Sequence, residues 1–308
     1  MLAIALALGA SICWGSGDFL GGLTTRRASL WAVIVGSQTV GLVAATLVVV
    51  LAGHGWPGLH AVWPVLLGGL ASVVAISCFY KALAIGSMSI VAPISATNAM
   101  IPFIVGLALG ERPSVAQLAG VALAAAGVLL VASERARAGD TIGVAALPNE
   151  PAVEPAVVRA GWAAATPVSR RDQRKAIALA LTAAVAMGLV LVGYDATARY
   201  DPLWAMLGGR ISSVTVFAVA FLVLRPRLEM RRSALPFVVA VGLLDTGANG
   251  LFALATTQGY LSLVAVLGSV YPVVTVLLAY GLLRERLAPH QMVGAAGTLA
   301  GIALIAAG

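Results

Sequence analysis

Polar side chains inside otherwise apolar runs are the residues of this chain with the clearest chemical potential. Asp245 lies near the middle of an apolar run, and Asn249 follows four residues later, on the same face of a helix. An ionisable residue at membrane depth is costly, so it is a functional hypothesis by default. A carboxylate there can bind a cation or an amino group, or carry a proton for exchange if burial favours its neutral form. A neutral or paired structural acid is the alternative.

Prolines mark a second region of interest. Pro93 and Pro102 share one apolar run, Pro272 interrupts another, and an offset of 174 residues maps Pro272 onto Asn98. A proline frees a carbonyl one turn back, and at membrane depth a cavity or a bound substrate can supply the missing partner. A kink that only shapes packing is the alternative. We therefore predict that Asn98 and Tyr271 contact substrate; a hydrogen bond between helices is the alternative.

Aromatic and charged residues elsewhere in the apolar runs complete the candidates. Trp14 and Tyr80 can line a cavity wall and stack on a substrate, with apolar packing as the alternative. Asp18 and Asp195 lie nearer helix ends, which favours a headgroup-level or capping role. Arg210 is expected to pair with an acid, Asp195 among the options, or to extend towards the membrane surface. The predicted substrate-binding residues are Trp14, Tyr80, Asn98, Asp245, Asn249 and Tyr271.

Motifs for catalysis, metal binding or nucleotide binding are absent from the sequence. It has no G-x-x-x-x-G-K-[ST] and no H-E-x-x-H, and its three histidines lie near loops without ligand spacing. Cys13 and Cys78 lie inside apolar segments, where they are expected to be small buried side chains. We predict no catalytic residue, no metal and no cofactor. An intramembrane enzyme is therefore a weak alternative.

The composition predicts that the apolar runs containing these residues lie in a membrane. Hydrophobic residues make up 60% of the chain, charged residues make up 10%, and the mean hydropathy is +1.00. A chain of this composition cannot cover a soluble core with charge. The net charge of +7 comes from basic residues in the loops between apolar runs, so we predict no nucleic-acid partner.

The apolar runs predict an all-α integral membrane protein with ten transmembrane helices. A stretch of different composition, 134–174, separates residues 1–133 from 175–308. It is rich in arginine and proline and is predicted to be a flexible linker. The predicted helices are 2–22, 30–52, 62–83, 89–110, 114–133, 175–197, 203–224, 234–256, 262–283 and 288–307.

A short pattern occurs once in each half. Between 109–132 and 283–306, ten of 24 aligned residues are identical without a gap. Since five helices per half is an odd number, the second half starts on the opposite side of the membrane, which predicts inverted repeats. We expect the duplicated glutamates to hold the following helix turn through the glutamines. The paired residues are Glu111 and Glu285, Gln117 and Gln291, Gly120 and Gly294, and Gly127 and Gly301.

Basic residues predict the orientation. Apart from the linker, nine lie on the side that holds the loop between the first two helices, and two lie on the other side. The positive-inside rule makes the first side cytoplasmic and puts both termini outside.

Two five-helix repeats, each ending in Glu-x5-Gln-x2-Gly-x6-Gly, resemble the EamA domains of the drug/metabolite transporter superfamily. Trp14-Gly15, Pro93 and Tyr271-Pro272 fit the same pattern. The resemblance implies a secondary carrier, in many members an exporter of amino acids or other small metabolites, with a cavity formed by the first four helices of each half. Familiar members keep both termini in the cytoplasm and have a shorter linker, so the chain departs from them in both respects.

Together these observations predict a secondary active transporter in the bacterial plasma membrane. It is predicted to export small metabolites such as amino acids or related solutes by alternating access. Proton coupling through Asp245 is a further hypothesis. The predicted partners are a small-molecule substrate and the lipid bilayer. One chain supplies both halves, so a monomer suffices and a dimer stays open. A receptor or scaffold is the alternative from another class.

Overall fold

The computed structural model describes residues 1–25, 28–85, 91, 94–132, 170–283 and 289–308, which are nearly all helical. Short 3-10 segments at Ala96–Ala99 and Arg232–Ala234 lead into α4 and α8. The helices, numbered along the chain, are α1 Leu2–Thr24, α2 Leu30–Leu51, α3 Leu59–Ile85, α4 Met100–Ala108, α5 Val115–Ala132, α6 Arg170–Ala198, α7 Pro202–Leu224, α8 Leu235–Gln258, α9 Leu261–Gly268, α10 Tyr271–Leu283 and α11 Pro289–Ala307.

The helices of the described residues suit a lipid environment. Eight helical stretches are long and apolar enough to cross a membrane, and two shorter apolar helices, Ala96–Ala108 and Val115–Val131, accompany them. Large apolar side chains cover the outer surface; Leu51 is 83% exposed and Val223 is 75% exposed. An apolar surface of this extent would make a water-soluble protein aggregate, whereas lipid tails solvate it.

Two of the predicted helices are broken. The predicted helix 262–283 divides into α9 and α10 at Ser269 and Val270, because Pro272 has no N–H to continue the ladder. The predicted helix 89–110 contains the 3-10 segment Ala96–Ala99 before α4. Subtracting the offset of 174 residues from Ser269 and Val270 gives 95 and 96, so the two interruptions fall at corresponding places.

The predicted linker 134–174 lies outside the described residues except for 170–174. These five residues form the first turns of α6, which therefore begins five residues before the predicted start. Pro93 and Glu285 also lie outside the described part of the chain.

Helices of the first half pack mainly on helices of the second. The closest associations are α1 with α8, α3 with α6, and α5 with α11; α2 packs on α7 and α8, α3 also packs on α7, and α4 packs on α9. When each helix is replaced by the one in the same position of the other half, the pairs that α1, α2, α3 and α5 form with α6, α7, α8 and α11 map onto one another.

The duplicated glycines lie where α5 meets α11. A Cβ atom added to Gly127 would lie 2.5 Å from the carbonyl oxygen of Gly294, and one added to Gly301 would lie 2.6 Å from that of Gly120. The two backbones can approach this closely only because all four positions lack side chains.

Connections at one end of the bundle, here called end A, hold the two halves together. They are 52–58, 109–114, 199–201 and 259–260. The rings of Trp56 and Trp204 lie 4.9 Å apart, and Trp204 donates its indole N–H to the carbonyl of Gly55 at 2.7 Å. His54 Nδ1 lies 2.5 Å from Asp201 Oδ2. The largest buried apolar cluster also lies towards this end, since it includes Ala3, Ala198, Ala205, Leu261 and Ile305.

At the opposite end, end B, the described residues include one contact between connections of the two halves. The N–H of Ser29 donates to the carbonyl of Glu229 at 2.7 Å, and Ala28 pairs with Met230 in an isolated bridge. The 25–29 and 225–231 connections thereby touch each other.

The glutamate and the glutamine of the first repeat do not act together as predicted. Gln117 accepts the N–H of Ser114 at 2.9 Å, and Ser114 Oγ accepts the N–H of Gln117 at 3.2 Å, which caps the start of α5 locally. Glu111 instead reaches α9, where it binds the N–H groups of Leu261 and Ser262. The loop geometry directs its carboxylate across to the other half.

Candidate functional site

A cavity of about 310 Å³ lies between the two halves. The residues that line it come from the middle parts of helices in both halves and from the break between α9 and α10. Five of the six predicted residues line it: Trp14, Asn98, Asp245, Asn249 and Tyr271. The side chain of Tyr80 lies outside the described residues. Side chains that the sequence places up to 257 positions apart, from Trp14 to Tyr271, therefore meet at one site.

The α1 wall combines an aromatic ring with a carboxylate. Trp14 and Asp18 are separated by one helical turn and both line the cavity. The expectation that Asp18 serves at the headgroup level or as a cap is therefore wrong. It followed from the position of Asp18 near the end of its apolar run. The spacing that associates Asp245 with Asn249 also relates Trp14 to Asp18 and was the signal available for finding it.

Aromatic rings surround Trp14. Its ring lies 6.4 Å from that of Tyr271 in an edge-to-face arrangement and 5.7 Å from that of Phe252, which is buried. Such pairs fix the orientation of the rings that they join. Trp14 and Tyr271 thus form an aromatic wall of the cavity, and Phe252 connects Trp14 to the largest buried cluster.

A buried ion pair connects α7 and α8. Arg210 Nη1 lies 2.7 Å from Asp245 Oδ2 and donates to Gln38 Oε1 of α2 at 2.8 Å. The Arg210 side chain is 3% exposed, whereas that of Asp245 is 38% exposed. Asp245 is therefore both paired and open to the cavity. Nε and Nη2 of Arg210 have no hydrogen-bond partner among the described residues.

Arg210 pairs with an acid, which was one of the two expectations, and that acid is Asp245 rather than Asp195. Asp195 accepts two hydrogen bonds from Arg199, at 2.8 and 3.1 Å, near the end of α6. Arg199 follows Asp195 by four residues on the same helix, so this partner is local, whereas Arg210 faces the cavity from another helix.

Small residues make room for the guanidinium. A Cβ atom added to Gly41 would lie 3.0 Å from Arg210 Nε and 2.5 Å from Thr246 Oγ1. A Cβ atom added to Gly209 would collide with the hydroxyl of Tyr194, which also lines the cavity. The sequence analysis missed Gln38, Tyr194 and this role of Arg210. Their only sequence signal is a polar group within an apolar run.

The break between α9 and α10 presents Ser269 and Tyr271 to the cavity. The carbonyl of Gly268, which would accept the missing N–H of Pro272, instead accepts the hydroxyl of Ser11 at 2.6 Å. The same hydroxyl lies 2.7 Å from the carbonyl of Leu267. The prediction that a cavity or substrate would satisfy this carbonyl is therefore wrong, and α1 supplies the donor.

Asn98 lies in the 3-10 segment of the first half, at the position that corresponds to Pro272. It is 8% exposed and contributes to the cavity lining. Its contact with a substrate, like that of the other lining residues, stays a prediction.

The cavity carries a small net negative charge. Among the described lining residues, the charged side chains are Asp18, Arg210 and Asp245, which sum to one negative charge. Asp18 and Asp245 interact electrostatically across the cavity. Within the described ranges, no group of three or more His, Cys, Asp or Glu side chains is placed to hold a metal ion. The site is thus a polar and aromatic chamber with one carboxylate in excess.

Comparison with known proteins gives a family match and a structural match. The model of a family described as "EamA-like transporter family" matches residues 1–133 and 174–307. No curated protein matches the chain. A solved structure titled "Crystal structure of protein" is similar with a TM-score of 0.73 and 19% sequence identity, covering 98% of this chain and 94% of that one. At this identity the likeness concerns the fold alone.

Proposed function

The chain belongs to the EamA-like transporter family, and from that membership we propose that it is a secondary active transporter of small metabolites that works by alternating access. It is a multi-pass membrane protein, and the family's two regions cover most of its length. The observation that carries the proposal is the cavity between the halves, with polar, charged and aromatic side chains at mid-helix depth.

The architecture that we propose is ten transmembrane helices in two inverted five-helix repeats. Its support is the duplicated sequence pattern, the matching positions of the helix breaks, and helix pairs that map onto themselves when the halves are exchanged. Alternating access then requires only that the halves rock about the cavity that lies between them.

The direction that we propose is export across the bacterial plasma membrane, from the cytoplasm outwards. The positive-inside rule makes end B cytoplasmic. The largest buried cluster and the contacts of Trp204, His54 and Glu111 lie at end A, which supports a cavity that is separated from the outer side. An exporter in this state would load from the cytoplasm. Because one chain supplies both halves, a monomer is sufficient.

The cargo that we propose is an amino acid or a related solute, exchanged for protons. Carboxylates at membrane depth can bind either a proton or the cationic group of a solute. Asp245 opens to the cavity, and Asn249 lies one turn further along the same helix. Competition between a proton and a solute for the carboxylate of Asp245 would couple solute transport to proton transport.

A metabolite-uptake screen in inside-out vesicles tests the function. Vesicles with the full chain and vesicles without it are given a cell extract and an imposed pH gradient, and accumulated solutes are identified by mass spectrometry. We expect some solutes to accumulate only with the chain and to be released when the gradient is collapsed. A folded chain that accumulates nothing in a gradient-dependent manner contradicts the proposal.

The role of Asp245 in coupling is tested in the same vesicles. Asp245→Asn should abolish the dependence on the pH gradient, whereas Asp172→Asn, at an acid outside the cavity, should preserve it. If Asp245→Asn still depends on the pH gradient, Asp245 takes no part in coupling. The proposal that the protein is a transporter would still stand.

A further inference from the structure

Within the part of the chain that the structure describes, one carboxylate of the cavity has no partner. The described residues offer Asp18 neither a hydrogen bond nor an ion pair, although its side chain lines the cavity beside Trp14. Asp18 is exposed, so a ligand that enters the cavity can reach its carboxylate, and an ionisable group at membrane depth is a functional hypothesis by default. Asp245, in contrast, has a cation 2.7 Å away. The two acids of the cavity therefore have different roles available to them.

The surroundings of Asp18 suit a cation. Trp14 lies one turn away on the same helix, and its ring meets that of Tyr271 edge to face at 6.4 Å. Aromatic faces attract ammonium and guanidinium groups, most strongly where water is excluded. A carboxylate beside an aromatic wall is a chemically suitable anchor for an organic cation.

Among the described residues, no cation of the cavity is accessible to a solute's carboxylate. Arg210 is 3% exposed, its Nη1 already binds both Asp245 and Gln38, and its unpaired Nε and Nη2 are buried. No other lysine, arginine or histidine is present among the described lining residues. An incoming carboxylate would meet two acids and a guanidinium that is already neutralised. The cavity thus favours positive over negative groups.

We infer that Asp18 anchors the positively charged group of the transported solute, and that the cavity selects a net-cationic amine over the corresponding amino acid or carboxylic acid. The inference rests on the proposed function and refines it, since it shifts the proposed cargo from amino acids to related amines that lack a free carboxylate. It also divides the work between the acids: Asp18 recognises the charge of the solute, whereas Asp245 holds Arg210 in place and remains the proposed site of proton coupling.

Three probes of similar shape test this selectivity: phenethylamine, phenylalanine and 3-phenylpropionate. Binding to the full chain in lipid nanodiscs is measured by calorimetry, with empty nanodiscs as the reference. We expect the amine to bind at least about tenfold more tightly than the amino acid, as a charge-assisted contact would provide, and the acid to bind least. Tighter binding of phenylalanine than of the amine overturns the inference.

Variants of Asp18 test the anchor. Asp18→Asn has nearly the same shape and should lose about tenfold or more of the amine affinity. Asp18→Glu should restore part of it, because the charge returns, and Asp172→Asn should leave it unchanged. Amine affinity that is equal in wild type and Asp18→Asn overturns the inference.

Asp245→Asn gives an independent readout. Removal of its charge frees Arg210, so 3-phenylpropionate should gain affinity in this variant and not in Asp18→Asn. Equal effects of the two variants on all three probes overturn the division of roles. If Asp245→Asn does not fold, the Asp18 variants still test whether Asp18 binds the positive charge of the solute.

Failure of the inference differs from failure of the proposed function. Gradient-driven accumulation of phenylalanine in the uptake screen, without amine binding in the nanodiscs, overturns the inference and leaves the transporter standing. Absence of any gradient-driven solute in the screen contradicts the function itself.

Discussion

Glu111, at the end of the fourth helical segment of the first half, accepts the backbone N–H of Leu261, the first residue of α9 in the second half, at 2.6 Å. Its other carboxylate oxygen accepts the N–H of Ser262 at 2.9 Å. A helix N-terminus has unpaired N–H groups and the positive end of the helix dipole. The Glu111 carboxylate accepts hydrogen bonds from these N–H groups and supplies a negative charge next to the dipole. Gly106 allows the approach, since a Cβ atom there would lie 2.8 Å from the carboxyl carbon of Glu111.

Removal of the Glu111 carboxylate should destabilise end A. Glu111→Ala leaves two N–H groups of α9 without acceptors and should cost about 2 kcal/mol of unfolding free energy, whereas Glu111→Gln keeps one acceptor and should cost less. Unfolding in detergent micelles, followed by tryptophan fluorescence, measures both. Ser114→Ala, which removes only the local cap of α5, is the control. A loss for Glu111→Ala no larger than for this control would contradict the cross-half role.

The pair of Arg210 and Asp245 should be strongly coupled. Asp245→Asn leaves a guanidinium that is almost fully buried without its counter-charge, which should cost about 3 kcal/mol. Arg210→Met leaves an acid that can still reach the cavity, so it should cost less. A double-mutant cycle of the two changes measures the coupling through the unfolding midpoints. Additive single effects would show that the ion pair does not contribute.

The repeated glycines should tolerate no side chain. Gly127→Ala pushes a methyl group against the backbone of Gly294 and should destabilise α5 against α11 by about 1–3 kcal/mol. Gly297→Ala is the matched control on α11, because its added Cβ would meet its nearest atom at 3.8 Å. This control should be neutral or slightly stabilising, since alanine is the better helix former. Equal midpoints for the two variants would contradict close backbone packing at Gly127.

Asp201 should stabilise end A in two ways. Its Oδ1 caps α7 by accepting the N–H groups of Leu203 at 2.8 Å and Trp204 at 3.1 Å, while its Oδ2 meets His54. Asp201→Ala removes both contacts and should cost about 1–2 kcal/mol. Asp201→Asn retains the cap and should cost less; its unfolding midpoint should fall between those of wild type and Asp201→Ala. An Asn variant as unstable as the Ala variant would show that the cap is not the main contribution.

The helices and the family were predictable because their signals are local or repeated. Apolar runs of transmembrane length predict helices in lipid, and the duplicated Glu-Gln-Gly-Gly pattern predicted the EamA family, which the family match confirms. Tyr271 and Asn98 were found through the prolines near them. Asp18 was misplaced because its distance from the end of an apolar run does not reveal which face of α1 turns inwards.

The sequence by itself determined that this is a multi-pass helical membrane protein with two related halves, because helix hydrogen bonds are local and burial in lipid depends on composition. Only the tertiary structure decided that Arg210 binds Asp245 rather than Asp195, that Ser11 satisfies the carbonyl freed by Pro272, and that Glu111 caps α9. These helices are apolar on all sides, so no periodicity marks the inward face. The rotation of each helix about its axis, set by packing across the halves, selects the polar groups that meet.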